Sequence, residues 1–374
     1  MKWFSKVLQS VFAVASLTMP PVQAQASQPD EPPAVVRPQT PTPPFPYRSL
    51  DISFPGGDAQ VLLAGTLTLP LTDTPLPAVV LLAGSGRTDR DETYLGHKSM
   101  LVLSDMLTRA GFAVLRYDKR GVDQSTGDFR AATPLDFKAD AHAAVNYLKT
   151  RAEIDDERIA VVGHSEGGSV AVLMAADRDP PAAVVSLAGM IAPFGDQILL
   201  QELVTGRDMG ADAAYEAALE QSYRAVFAAL SIDDDSARVQ AMRRISADWL
   251  ESFSAGTNAK AAEESLLAHP GLIGSQWFRS FVKLSVTDAL ASSTIPVLLL
   301  NGGSDQQVVE GPNLAAARQA LGRETSLRRT RAFPGLNHLF QESASGSTDD
   351  YGTIEQTLSP QVLRAVVGFL TEAM

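Results

Sequence analysis

The chain has 374 residues, no cysteine, and 31 Lys and Arg against 43 Asp and Glu, a formal net charge of −12. Without a thiol there is no disulfide framework, no cysteine nucleophile and no Cys-ligated zinc or iron–sulfur centre. The acidic balance argues against broad capture of nucleic acid, while 45% hydrophobic and 20% charged residues suit a folded chain with one large or two modest cores.

Lys2 and Lys6, a mostly apolar run from Val7 to Met19, and Val22-Gln23-Ala24 with residues fit for a cleavage site match a secretory signal peptide over residues 1–24. The run is shorter than the roughly 20 residues of a bilayer span, so no membrane insertion is expected after cleavage. With no cysteine there to take a lipid, the expected destination is periplasmic or secreted. Residues 25–46 read as a Pro-rich linker, with eight prolines between Pro29 and Pro46. Such a segment lacks amide donors and apolar periodicity, and is expected to be extended and mobile. The folded unit is expected to begin near Tyr47.

Ser49 to Phe54 and Gln60 to Leu69 alternate as strands around Pro55-Gly56-Gly57-Asp58, a hairpin signal. Ala78 to Leu82, Ala113 to Tyr117, Ile159 to Val162, Ala183 to Leu187 and Pro296 to Leu300 are short apolar runs of the kind buried on both faces. Helical stretches lie between them at Ser99 to Ala110, Asp136 to Thr150 and Gly168 to Asp177. Alternation stops from Pro193 to about Ser292, where Ala211 to Leu230 and Ser236 to Phe253 have helical spacing and no strand candidate occurs. It resumes at Ile295, and a helix over Pro360 to Leu370 closes the chain. The expected fold is α/β: a mostly parallel central sheet with helices on both faces, in segments 47–192 and 293–374, with an inserted helical cap over 193–292.

Gly163-His164-Ser165-Glu166-Gly167-Gly168 follows a buried strand and opens a helix. In that setting G-x-S-x-G reads as a nucleophile turn rather than a glycine-rich turn with an incidental serine, with Ser165 on a strained strand-to-helix turn and a free Glu166 N–H at the helix start to receive an oxyanion. The fold orders its partners as serine, acid, histidine. Of the histidines at 97, 142, 164, 269 and 338, only His338 lies after the resumed strand in a loop near the last helix. The acid is expected in Asn301-Gly302-Gly303-Ser304-Asp305, where Asp305 is the only carboxylate; Glu310 is the second choice. The second oxyanion donor is expected in Ala83-Gly84-Ser85-Gly86, from the Ser85 N–H with Gly86 next. The charged run Arg87 to Glu92 reads better as a salt-bridged loop than as a ligand site.

Together LLAGSGRTDRDE, RYDKRGVDQSTGD, VVGHSEGG, LLLNGGSDQQV and GLNHLF resemble bacterial α/β-hydrolase esterases of the EstD type, within the wider serine-aminopeptidase-like hydrolase group. The resemblance covers roughly Leu50 to Ala192 and Ile295 onward, with a weak match around Trp277 to Lys283. It implies a Ser165, Asp305, His338 triad, backbone donors at Ser85 and Glu166, and carboxylester hydrolysis, often of short acyl chains, with no cofactor. The departure is Asp123, where such proteins usually carry glycine, which puts the local turn geometry in question.

Asp233-Asp234-Asp235 reads as a solvated helix start rather than a metal site. Trp277 and Phe278, with Gly86, are candidate substrate contacts; Trp249, Trp277, Phe278 and Phe281 fit cap-to-core packing equally well. Two rival functions share the scaffold. In a serine aminopeptidase, Glu202, Glu216 or Glu220 would bind a free α-amine; in a catalytically silent module the fold would persist without chemistry. The expected partner is a small-molecule ester, and the oligomeric state is open.

Overall fold

The computed structural model describes residues 37–208, 210–253 and 275–374. The expected signal peptide, linker residues 25–36, His269 and the Trp249 side chain lie outside the described residues.

Eight strands form one sheet: β1 (Tyr47–Pro55), β2 (Leu62–Pro70), β3 (Leu76–Leu82), β6 (Ala113–Tyr117), β7 (Ile154–His164), β8 (Ala183–Leu187), β9 (Val297–Gly302) and β10 (Arg328–Phe333). A short pair, β4 (Thr93–Tyr94) and β5 (His97–Lys98), stands apart. The sheet order is β1-β2-β6-β3-β7-β8-β9-β10. The hairpin β1–β2 and the junction β2–β6 are antiparallel and all later neighbours are parallel. Val79, Val80, Val161 and Val162 are fully buried because helices cover both faces.

One face carries α2 (Pro134–Lys149) and α3 (Glu166–Met174) over Leu63, Leu67, Val80 and Val161. The other carries α1 (Ser99–Arg109) over Val79, Val114 and Val162, and is closed by the chain's last helix, Pro360–Ala373. Helix α2 begins two residues before the sequence expectation because Thr133 caps it: its hydroxyl accepts the Asp136 N–H, the Asp136 carboxylate accepts the Thr133 N–H, and Pro134 fills the first turn. Strand β7 begins at Ile154 rather than Ile159, with a register shift against β3 between Leu76 and Ala78.

Between β8 and β9, the described residues form α4 (Phe194–Asp208), α5 (Ala213–Leu230), α6 (Asp235–Phe253), α7 (Gln276–Lys283) and α8 (Val286–Ser292), with no strand among them. Met190, Phe194, Ile198, Val226, Leu230, Phe278 and Phe281 form a separate cluster that joins these helices to the body. Helix α8 differs: its Val286 and Leu290 belong to the core beneath the sheet. Beyond β9 come α9 (Glu310–Leu321) and the closing helix α10 (Pro360–Ala373). At 233–235 Asp234 caps α6 by accepting the Ala237 N–H, while Asp233 and Asp235 pair with Lys283 and Arg238.

The linker expectation needs correction from Arg37 onward. Arg37 donates to the carbonyls of Ile354, Leu95 and Gly352, and Gln39 exchanges hydrogen bonds with the backbone of Thr357 and Leu358. Prolines remove amide donors, but the Arg37 and Gln39 side chains supply hydrogen bonds of their own, so this stretch is anchored to the body at those two residues rather than free.

Candidate active site

Ser165 caps α3 at φ 51 and ψ −119, a backbone state that non-glycine residues occupy at a cost of about 1–3 kcal/mol. Packing holds it there. A Cβ on Gly163 would lie 2.0 Å from the Gly167 carbonyl oxygen, and one on Gly167 would lie 2.3 Å from that of Leu82. Only glycine at both positions lets β7 turn into α3 against β3. Glu166 is the first helical residue, so its N–H has no carbonyl one turn earlier to bind.

His338 follows β10, and its Nδ1 lies 2.8 Å from Asp305 Oδ2, both residues being buried. Asp305 is fixed from behind. Its Oδ1 accepts the N–H groups of Gln307 and Val308 at 2.8 and 2.9 Å, and Asn301 Nδ2 donates to Oδ2 at 3.2 Å. Glu310, the second choice, begins α9. The Ser165 hydroxyl and His338 Nε2 make no hydrogen bond to each other among the described residues. Such contacts commonly close only when substrate binds. His164, the residue before Ser165, has its ring centroid 4.9 Å from that of His338 and its Nε2 3.0 Å from the His338 carbonyl oxygen, which ties the elbow to the His338 loop.

The loop after β3 approaches the elbow directly. A Cβ at Gly84 would stand 3.3 Å from Ser165 Cβ and 3.0 Å from Glu92 Oε1. Gly84 is pinned on both sides: its N–H donates to Glu92 Oε1 at 2.6 Å, and its carbonyl accepts Lys119 Nζ at 2.5 Å and Thr88 Oγ1 at 3.3 Å. Gly86 sits at φ 93 in the same loop.

Two buried ionic groups behind the site were not readable in the sequence. His164 Nδ1 lies 2.9 Å from Glu92 Oε1, and its Nε2 lies 3.0 Å from the His338 carbonyl oxygen. Both partners are acceptors, which calls for a doubly protonated imidazole. Burial disfavours that charge, yet the Glu92 carboxylate raises the His164 pKa above its ordinary value. Burial likewise opposes charge on Glu92, but His164 and the Gly84 N–H outweigh it and hold its pKa low. The second group is Lys119, paired with Glu166 Oε2 at 2.7 Å. Trp277 Nε1 donates to the other Glu166 oxygen.

The charged run after Ser85 is a salt-bridged loop, as expected. Arg90 pairs with buried Asp118, and Asp91 with Arg116. Asp123 adopts φ 45, a left-handed state that aspartate tolerates better than most residues, so the turn forms without glycine. Phe278 is 3% exposed and stacks against Phe227, which places it in packing rather than on an open substrate surface. Trp277 is half-buried against Phe281 and reaches Glu166, the residue after Ser165. Among the remaining histidines, His97 is tied to Tyr351, Thr357 and Gln341, and His142 to Asp177.

A strained serine elbow at a parallel-sheet switch point, with a histidine–carboxylate pair on the following loops, defines an α/β-hydrolase architecture. The family model described as "Serine aminopeptidase, S33" matches residues 98–342, more than half of the chain, and the chain belongs to that family. It is 27% identical to esterase EstD of Thermotoga maritima over 286 residues, 76% of this chain and 60% of that protein. The chain thus spans less than two thirds of that curated relative. Among solved structures, esterase Pf2001 of Pyrococcus furiosus aligns with a TM-score of 0.50 at 17% identity, covering 87% of this chain and 93% of that one. The α/β hydrolase GrgF from Penicillium aligns at 0.52 and 16% identity, covering 87% and 99%. At these identities the structures speak for the fold alone.

Proposed function

We propose that the chain is a serine hydrolase that cleaves carboxylic esters of short acyl chains, with Ser165 as nucleophile, His338 as base and Asp305 orienting the base. The observation that carries this reading is the 2.8 Å Asp305–His338 pair beside a serine held at a strained elbow. His338 Nε2 takes the hydroxyl proton as Ser165 Oγ attacks the ester carbonyl. The oxyanion is received by the N–H groups of Ser85 and Glu166. Collapse expels the alcohol, which regains the proton from His338, and leaves an acyl-Ser165. Water, deprotonated by His338, then releases the acid. No step calls for a metal or organic cofactor.

The relationship to EstD supports an ester as the substrate. Trp277, standing over Glu166 with Phe194 and Phe281 behind it, supports a short acyl pocket. The amino-terminal pattern of residues 1–24 supports a periplasmic or secreted location. The aminopeptidase reading draws on the family description, but its candidate carboxylates are poorly suited. Glu216 is neutralised by Arg207 and Glu220 by Arg224, while burial pushes Glu202 up to about 8, leaving it mostly uncharged at neutral pH. Parallel rates on p-nitrophenyl esters and aminoacyl p-nitroanilides test the choice: ester turnover well above anilide turnover is expected, and the reverse would transfer the site to peptides.

A further inference from the structure

The group with the most unusual surroundings outside the reacting set is the Lys119 ammonium. It is 7% exposed. Its Nζ lies 2.5 Å from the Gly84 carbonyl oxygen, 2.7 Å from Glu166 Oε2 and 4.6 Å from the centre of the Phe137 ring, while the Lys119 backbone N–H donates to the Thr88 carbonyl. A lysine is buried in this way only when its charge is matched and its donors are used.

The two oxygen partners belong to the two halves of the proposed oxyanion hole. The carbonyl of Gly84 and the N–H of Ser85 are one peptide unit, planar and trans, so the two bonds point in opposite directions. Gripping the oxygen therefore fixes the direction of the Ser85 N–H. The carboxylate of Glu166 hangs from the residue whose own N–H is the second donor. We propose that Lys119 is a positioning residue of the oxyanion hole: a single ammonium that holds the Ser85 and Glu166 backbone donors in register, one in the loop after β3 and the other at the start of α3.

The arrangement accounts for features that hydrolysis alone leaves unused. A carboxylate at position 166 contributes nothing to a mechanism that needs only the backbone N–H, yet Glu166 is 1% exposed and gives one oxygen to Lys119 and the other to the Trp277 indole. A cation on the Gly84 carbonyl also draws electron density from the amide, which strengthens Ser85 N–H as a donor. Thr88 Oγ1 at 3.3 Å is the only other side-chain donor to that oxygen among the described residues, and it is the weaker one.

The inference rests on the esterase reading, and the experiment separates the two. Wild type and Lys119→Met are compared on p-nitrophenyl acetate, together with their inhibition by an alkyl trifluoromethyl ketone, whose hemiketal places an anionic oxygen in the hole. The expected result is a loss in kcat of about 10- to 100-fold, below or at the effect of deleting one oxyanion donor, with KM within about threefold and ketone affinity falling in step with kcat/KM. Lys119→Arg, which keeps charge and donors, should recover part of kcat. A kcat within twofold of wild type, or a loss of kcat with ketone affinity unchanged, overturns the proposal. A merely structural lysine would lower the melting temperature and leave the ratio of ketone to substrate affinity intact. Should Lys119→Met fail to fold, Glu166→Gln decides on the same readouts: a loss confined to kcat and ketone affinity supports the proposal, and unchanged values overturn it. Wild-type protein inactive on all esters would overturn the esterase reading and this inference with it. Active wild type with an unaltered variant overturns this inference alone.

Discussion

Replacing Asp305 by asparagine tests the role of the acid with almost no change of shape. In the native loop Oδ1 accepts two backbone N–H groups, from Gln307 and Val308, while Oδ2 faces His338 Nδ1 at 2.8 Å. The amide oxygen of an asparagine must stay on the two N–H groups, because turning it around would set NH2 against two donors. Its NH2 then occupies the Oδ2 position and faces the imidazole. A donor there demands a lone pair on Nδ1, which moves the proton to Nε2, and a protonated Nε2 cannot accept hydrogen from the Ser165 hydroxyl. A tautomer fault of this kind costs about 10⁴-fold in kcat, or roughly 5.5 kcal/mol of activation free energy at about 1.36 kcal/mol per decade. Folding should suffer less: NH2 meeting Asn301 Nδ2 across 3.2 Å in the native geometry leaves a repelling donor pair, worth about 1–3 kcal/mol. Steady-state hydrolysis of p-nitrophenyl acetate and urea unfolding of Asp305→Asn measure the two quantities. A kcat within tenfold of wild type, in protein that unfolds cooperatively, would refute the orientation argument.

Three further outcomes follow from the geometry. Glu202 is 1% exposed, its Oε1 has no hydrogen-bond partner among the described residues, and burial raises its pKa from 4.5 to about 8. The folded state therefore keeps a proton that the unfolded chain releases, and stability falls as pH rises from about 4.5 through 8, by at most several kcal/mol. Glu202→Gln should remove that part of the slope in urea titrations at pH 5 and pH 8.5, and parallel slopes in the two proteins would contradict the reasoning. Trp277→Ala opens the space beside Glu166 and should shift preference toward longer acyl chains, with each methylene newly accommodated worth about 0.8 kcal/mol or roughly fourfold in kcat/KM. An unchanged octanoate-to-acetate ratio would remove Trp277 from the acyl wall. Thr133→Ala deletes the capping box of α2 and should cost about 1 kcal/mol of stability with activity retained per folded molecule; a loss of kcat without destabilisation would mean that α2 bears on the site in some other way.

The parts of the fold that were legible in the sequence are those dictated locally. Runs such as AVVLL at Ala78 and IAVV at Ile159 are apolar on both faces, which marks buried parallel strands, and Gly163 and Gly167 stand where a side chain would strike backbone. His338 and Asp305 could be chosen because few histidines exist and one carboxylate occupies the turn after β9. What stayed hidden depends on groups far apart along the chain. Glu92 meets His164 across 72 positions, and Lys119 meets Glu166 across 47; no periodicity encodes such pairs. The excess of opposite charges in TDRDE and RYDKRG was a hint that the two segments face each other, as Arg90–Asp118 and Asp91–Arg116 show. The docking of Arg37 on carbonyls near the far end of the chain was concealed by its proline-rich neighbours, whose composition reads as a spacer. The α8 helix shows the same limit at the cap boundary. Its sequence continues the helical run, and only the burial of Val286 and Leu290 in the main core separates it from the helices before it.

The central claim is that Ser165 is the nucleophile. Mass spectrometry of the full-length protein after incubation with a fluorophosphonate, followed by peptide mapping, measures it directly. The account predicts one adduct, located on Ser165, formed at a rate that falls steeply in Asp305→Asn and absent in Ser165→Ala along with ester hydrolysis. An adduct on another residue, or ester hydrolysis undiminished in Ser165→Ala, would contradict it.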